Sequence, residues 1–198
     1  MIRCQQCDQP ATIHITRVLV PRSRLVEFHL CEQHARDLLS NQPVDQSAAW
    51  TAHRYGSVPD RTICFDIESV MISEIGDQQV VYLREVGGER RFPIVIGLFE
   101  ATSLDRKLKL KHIQLPRPLT HEAWASTIPA LGGDVQDVFI HELQQHTYFA
   151  KIRILQSGRT VEIDVRPSDA VNMAVLCGVP IYVAEELANE VCTLEGLP

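Results

Sequence analysis

Hydrophobic and polar positions follow two different periods along this chain, and where the period changes the elements change. Residues 11–20 and 25–30 alternate. Ile13 and Ile15, then Val26, Phe28 and Leu30, share one face, with His14, Thr16, Glu27 and His29 on the other. Pro21-Arg22-Ser23-Arg24 reads as the turn between two strands, and EQHARDLLS after Cys31 as a short helix. Residues 41–60 keep neither period, are polar and carry two prolines, which predicts a linker with local packing at Trp50 and Tyr55.

Alternation resumes near Arg61. Strands are expected over Ile63–Ile75, Gln79–Val86 and Arg90–Ile96, with Gly76-Asp77 and Gly87-Gly88 as turns. A helix follows over Leu98–Leu110, and another over His121–Leu131 that ends at Gly132-Gly133, with Thr120 as its cap. Three strands come next, at Val135–Leu143, Tyr148–Leu155 and Thr160–Val165, with Ser157-Gly158 as a turn. Pro167 opens a helix that Gly178 closes. Ile181–Val183 is a short strand and Glu185–Val191 the last helix. Strands and helices in this order are expected to build a mixed or antiparallel sheet with packed helices. The implied division is a module at 1–40, a linker at 41–60, a main domain at 61–191 and a tail at 192–198. Two stretches run hairpin, strand, helix with an acid before Ala in the first helical turn (Glu100-Ala101 and Asp169-Ala170). That repetition suggests internal duplication.

The N-terminal pattern changes the picture of the first 40 residues. Cys4 and Cys7 form C-x2-C, and Cys31 and His34 form C-x2-H. Paired donors at this spacing close a tetrahedral zinc site, here a treble-clef-like module of knuckle, hairpin and helix. Four protein ligands leave no open position, so the zinc is structural. A segment this short buries little core unaided, so the metal supplies much of its folding free energy. His14 and His29 are read as an exposed cross-strand pair rather than spare ligands.

Charge and composition exclude several classes. The chain carries 19 Lys and Arg against 25 Asp and Glu, a net −6. Tight non-specific nucleic-acid binding depends on phosphate neutralisation, which an acidic chain supplies poorly. One stretch departs from this: Arg106, Lys107, Lys109, Lys111 and Arg117 have no acid between them. It is either a phosphate-facing patch or a helix end whose cations complement the dipole. No run of about 18 apolar residues is present, and MIRCQQC has no signal-like core, so a cytoplasmic protein is expected. Reduced thiols there favour metal binding over disulfides. Cys64, Cys177 and Cys192 read as small buried hydrophobes. P-loop, serine-hydrolase and dinucleotide-binding motifs are absent. Aromatic residues are not interleaved with basic ones as a base-stacking platform requires.

The polar residues that remain cluster at VEIDVRPSDA. Glu162, Asp164 and Arg166 share a strand face, and Ser168 and Asp169 open the next helix. Two readings stand side by side: Asp169 and Glu100 cap helix N-termini, or they converge with Asp164 on a divalent ion of Mg or Mn type that serves phosphodiester hydrolysis. Arg166 and Arg117 suit phosphate oxygens, and His121 suits general acid–base work.

Five stretches in order, FPIVIGLFEA, RPLTHE, YFAKIRI, DVRPSDAVNMAV and VPIYVAEEL, resemble the bifunctional nuclease family over roughly residues 61–190. The resemblance implies a compact α+β domain that cleaves DNA and RNA. It carries over Glu100, His121, Asp164 and Asp169 as catalytic positions, with Arg117, Arg166 and Ser168 on the substrate, to which the cationic stretch adds Lys109 and Lys111. Leu98-Phe99 and Ala123-Trp124 depart from the family pattern. Residues 1–40, with ATIHIT and LCEQHA, are similar to the zinc-binding N-terminus of activators of bacterial protein-arginine kinases, although His34 stands where that group has Cys. That likeness implies support or partner docking. The expectation is a homo-oligomeric, metal-dependent nuclease with a zinc module. The rival is a non-enzymatic adaptor or stress-response regulator that uses the zinc module for protein contact.

Overall fold

The computed structural model describes residues 2–19, 24–40, 61–110 and 116–192. The linker at 41–60, Lys111 and the tail beyond Cys192 lie outside them. Chain packing resolves two compact units, one of residues 1–49, 67–105 and 192–198, the other of 50–66 and 106–191. The fold is mixed α/β with a mostly antiparallel sheet and, among the described residues, five helices.

The first unit begins with a hairpin of β1 (Ile13–Leu19) and β2 (Arg24–Leu30). Its register sets Ile13 opposite Leu30 and Ile15 opposite Phe28, so the apolar alternation faces one way. These residues form a small core with Cys4 and Ala35, and Leu38, Leu39 and Met71 pack against it. The other face of β1 is also covered: Thr16 is buried, its hydroxyl bonded to Asp105. A third strand extends the sheet beside it. β3 (Thr62–Ser73) pairs antiparallel with β1, Ile13 opposite Ser73 and Arg17 opposite Ser69. The N-terminal hairpin therefore draws on strand pairing as well as on any metal. His14 and His29 do pair across the hairpin, but half-buried rather than exposed, with Nδ1···Nδ1 at 2.8 Å and Glu74 holding His14 Nε2 at 2.8 Å. Helix α1 (Glu32–Ser40) follows β2. β4 (Gln79–Glu85) and β5 (Arg91–Ile96) form a second hairpin, and Gly87 adopts the positive φ of its turn. Helix α2 (Leu98–Lys109) then begins, and its residues from Arg106 onward belong to the second unit.

In the second unit, β6 (Gly133–Gln144), β7 (Thr147–Gln156) and β8 (Arg159–Val165) run antiparallel in succession. β9 (Ile181–Ala184) joins β6 in parallel and pairs antiparallel with Thr62–Phe65 of β3. Helix α3 (Thr120–Ala130) packs on β6, and α4 (Pro167–Cys177) packs on α3, β6 and β7. Helix α5 (Glu185–Val191) follows β9. Pro167 starts α4 with its φ preset, and Gly178 ends it in the left-handed region at φ 68°, its N–H bonded to the Ala174 carbonyl. Among the described residues the order hairpin–helix with an acid in the first helical turn occurs three times, as β1–β2–α1 with Glu32, β4–β5–α2 with Glu100 and β7–β8–α4 with Asp169. Arg153 and Asp137 form a buried bidentate pair, both contacts at 2.6 Å, across β6 and β7.

One turn carries strain that the amphipathic pattern does not reveal. Gln145 and His146 join β6 to β7 with φ of 48° and 62°. A two-residue hairpin loop with both φ positive favours Asn-Gly. Replacing Gln145-His146 with Asn-Gly is expected to stabilise the protein by about 1 kcal/mol. Denaturant melts would read this as a higher midpoint at unchanged slope, and an unchanged midpoint would refute it.

Candidate active site and metal-binding cluster

Helix α3 and helix α4 bring their first turns together. His121 is the second residue of α3, and Asp169 the third of α4. Their side chains meet at 2.9 Å, His121 Nε2 to Asp169 Oδ1. Arg166, the residue before α4, reaches forward to the same carboxylate, with Nε at 2.8 Å from Oδ2 and Nη2 at 3.0 Å from Oδ1. Asp169 thus holds a guanidinium and an imidazole instead of capping its helix. The N-cap position is Arg166, without a side-chain cap bond. The His121 and Asp169 side chains are only 14% and 17% exposed, whereas that of Arg166 is 67% exposed. Burial raises the Asp169 pKa, but the hydrogen bonds and charges of Arg166 and His121 outweigh it and hold the carboxyl below the usual range.

The start of α3 is fixed by a residue outside the expected set. Glu122 accepts the Leu119 N–H at 2.9 Å and an Arg106 Nη1 hydrogen bond at 3.1 Å. Both interactions, the backbone bond foremost, lower its pKa despite burial. Leu119, not Thr120, is the N-cap, because the helix begins one residue earlier than its hydrophobic pattern suggests. The spacing of an acid three residues after the N-cap was the available signal for Glu122. It also decides the role of Arg106, whose guanidinium serves this carboxylate.

The remaining expected positions are scattered. Asp164 stands opposite Lys151 in the β7–β8 register. Ile152 and Ile163 alternate with them on the other face, the side on which a Cβ added to Gly133 would touch both Ile154 and Ile128 of α3. Asp164 therefore lies on the sheet face turned away from α3. Ser168 is buried in α4, its carbonyl accepting an Asn172 side-chain hydrogen bond. Arg117 is exposed before α3, and Lys109 is half-buried in the last turn of α2. Glu100 sits in the first turn of α2, in the first unit. The expected Mg or Mn site of acids gains no support from this arrangement. Among the described residues, the only group of three or more Cys, His, Asp or Glu donors within reach of one ion is Cys4, Cys7, Cys31 and His34.

That group fits a tetrahedral metal. The four donor atoms lie within 4.8 Å of one another. Cys7 Sγ and Cys31 Sγ are 3.8 Å apart, and His34 Nδ1 is 3.5 Å from Cys4 Sγ and 3.3 Å from Cys31 Sγ. Zn–S bonds of about 2.3 Å and Zn–N bonds of about 2.05 Å at tetrahedral angles place sulfur atoms about 3.8 Å apart and sulfur about 3.5 Å from nitrogen. These spacings are the edges of a coordination tetrahedron. The knuckle is preset by its backbone: Cys4 N–H bonds the Gln9 carbonyl, and the Gln6 N–H points at Cys4 Sγ at 3.4 Å. Burial raises the Cys4 pKa, yet nearby backbone N–H groups and His34 outweigh it and lower the thiol to about 6. Such a thiol is readily available as thiolate ligand. By contrast, burial pushes the Cys177 and Cys192 thiols up, Cys192 to about 11.

Comparison with known proteins places this chain in a nuclease-like class. The family model described as the bifunctional nuclease domain matches residues 81–195, and the chain belongs to that family. The chain is similar to an uncharacterized protein of Mycobacterium tuberculosis, 37% identical over 119 residues, covering 60% of this chain and 70% of that protein. It is also similar to bifunctional nuclease 2 of Oryza sativa subsp. japonica, 32% identical over 121 residues, and to bifunctional nuclease 1 of Arabidopsis thaliana, 30% identical over 112. These matches cover 59% and 55% of this chain but only 37% and 34% of the plant proteins. No described helix is long and apolar enough to cross a membrane.

Proposed function

We propose that the protein cleaves nucleic-acid phosphodiesters at the His121–Asp169–Arg166 cluster. The observation that carries this is the 2.9 Å contact between His121 and Asp169, residues 48 apart in sequence. A carboxylate that accepts from Nε2 fixes one imidazole tautomer and leaves Nδ1 as the acceptor. That is the arrangement of an oriented general base. Arg166 supplies a guanidinium for the phosphate oxygens beside it. Arg117 and Lys109 are assigned to the substrate backbone. Glu100 and Asp164 are assigned to the enzyme's wider acidic surface, and Mg2+ or Mn2+ enters this reading only as an assisting ion. Membership of a nuclease-like family and the plant relatives' names support the reaction class.

The same proposal assigns structural zinc to Cys4, Cys7, Cys31 and His34. It takes residues 1–40 as a treble-clef-like support or docking module ahead of a domain at 61–191, in a cytoplasmic homo-oligomer. The test is a cleavage assay of the zinc-loaded protein on DNA and RNA, with and without added Mg2+ or Mn2+. Intact substrates under every condition sink the enzyme reading.

A further inference from the structure

We infer that His14 and His29 form a second metal site, for a divalent late first-row ion in tetragonal geometry, of the Ni2+ or Cu2+ kind. None of its residues belongs to the zinc cluster or to the His121 cluster, and the site is independent of the nuclease reading. The two histidines stand directly opposite each other in the β1–β2 hairpin, on the strand face turned away from Ile13, Ile15 and Leu30. Their Nδ1 atoms are 2.8 Å apart, with ring centroids at 5.0 Å and ring planes crossed at 67°. Two nitrogens each about 2.05 Å from one ion, at the right angle of a tetragonal site, are about 2.9 Å apart. The strand register thus already sets the donor spacing, and the rings need only pivot to converge on an ion.

Glu74 decides which nitrogen of His14 can bind. Its Oε1 lies 2.8 Å from His14 Nε2. An ionised carboxylate only accepts, so Nε2 carries the proton and Nδ1 the lone pair. A carboxylate in this outer position orients a metal-ligating imidazole and raises its basicity. In the neutral pair without an ion, His29 Nδ1 donates its proton to His14 Nδ1. An ion takes the place of that proton when His29 carries it on Nε2 instead, so no net proton is lost. His29 is anchored by the zinc knuckle: its N–H donates to Gln5 Oε1 at 3.3 Å, and its carbonyl accepts the Gln5 N–H at 3.0 Å. Glu74 is anchored just past β3, its N–H bonded to the Thr12 carbonyl at 2.8 Å. Both histidines are half-buried, the His14 side chain 20% exposed, so water can fill the remaining positions of the ion. Imidazole and water donors in a square or tetragonal array suit Ni2+ and Cu2+, whereas the three cysteines and one histidine of the other site suit tetrahedral zinc.

The test adds Ni2+ and, separately, Cu2+ to the full-length, zinc-loaded protein. Ni2+ does not oxidise thiols, so calorimetry with Ni2+ gives the affinity. Elemental analysis follows the zinc. The expected result is one added ion per chain with one zinc retained. The Cu2+ form should give an axial electron paramagnetic resonance spectrum split by two imidazole nitrogens. His14→Gln and His29→Gln should each weaken Ni2+ binding by about 10-fold or more, while His146→Gln leaves it unchanged. Glu74→Ala should weaken it by about 10–100-fold, the usual effect of losing an outer-shell partner, and keep the two-nitrogen spectrum. Native zinc content and melting in each variant exclude misfolding as the cause. Binding that survives both histidine substitutions, an ion that enters only as zinc leaves, or no uptake at millimolar metal would overturn the inference and reduce the two rings to a hydrogen-bonded pair.

Discussion

His121→Ala is expected to lower phosphodiester cleavage by about 10²–10⁴-fold, the usual contribution of a positioned acid–base group. Asp169→Asn should cost a similar factor. The amide places an N–H donor group where the carboxylate accepted, so the imidazole is driven to the tautomer whose Nδ1 carries the proton. That imidazole no longer has its acceptor aimed outward. Groups that act as one unit lose their effects together, so the double variant should be scarcely slower than either single one. Full multiplicative losses would show that the two residues act separately, and the 2.9 Å contact would then be a packing interaction only. A pH series gives a second readout. The folded pKa of Asp169 lies below its ordinary value, with the unfolded chain near about 4. Its contribution to stability is therefore fully present above the unfolded pKa and is lost as pH falls through the lower folded pKa. Wild type should lose stability faster than Asp169→Asn across that acid window, as measured by urea unfolding at a series of pH values. Parallel curves would mean that the carboxylate is not held by Arg166 and His121 in solution.

Why this site was only partly legible in the sequence follows from how it is built. Period and punctuation located the elements well. Pro167 and Gly178 delimit α4, and alternation marks β6 to β8, because burial on one face writes itself into neighbouring residues. His121 and Asp169 were both visible as chemistry at helix starts, but their meeting is a property of α3 packing on α4, which no local spacing encodes. Charged residues also look alike in sequence whether they converge or not. Asp164 follows the same strand alternation as its neighbours, and only the β7–β8 register shows that it stands with Lys151 on the face away from α3. The run of cations from Arg106 divides in the same way. Arg106 is tied to Glu122, a partner 16 residues on, and so fixes α3 rather than presenting itself to phosphate. The Cys and His set was legible because a metal's geometry constrains spacing directly: the N-terminal knuckle and the start of α1 must each deliver two donors. The buried second face of β1 was not, since Thr16 is polar and its partner on that face, Asp105, lies far along the chain.

Removing zinc is expected to unfold the N-terminal hairpin region, and this should be the largest stability effect in the molecule. Ligand spacings of 3.3–3.8 Å bring three potential thiolates together. Without a cation their like charges repel, and protonation relieves the repulsion but leaves nothing to tie the knuckle to α1 beside the small core of Ile13, Ile15 and Leu30. Structural zinc in comparable peptides contributes about 10–16 kcal/mol of apparent binding free energy near pH 7. The pairing of β1 with β3 offsets part of the loss, so the metal-free chain should retain β3 while residues 4–40 lose protection. Elemental analysis should find one zinc per chain. Hydrogen exchange after chelation should rise through Cys4–Ser40 far more than through β6 to β8. His34→Cys supplies the discriminating case: it preserves a four-ligand set, so one zinc and a near-native melt should remain, whereas His34→Ala and Cys7→Ser should both weaken zinc binding and melt lower. A chelated protein whose exchange and melting match the zinc-loaded form would reduce the cluster to three cysteines, only Cys4 of them buried, and a histidine that happen to be close. It would also leave strand pairing alone to hold the module.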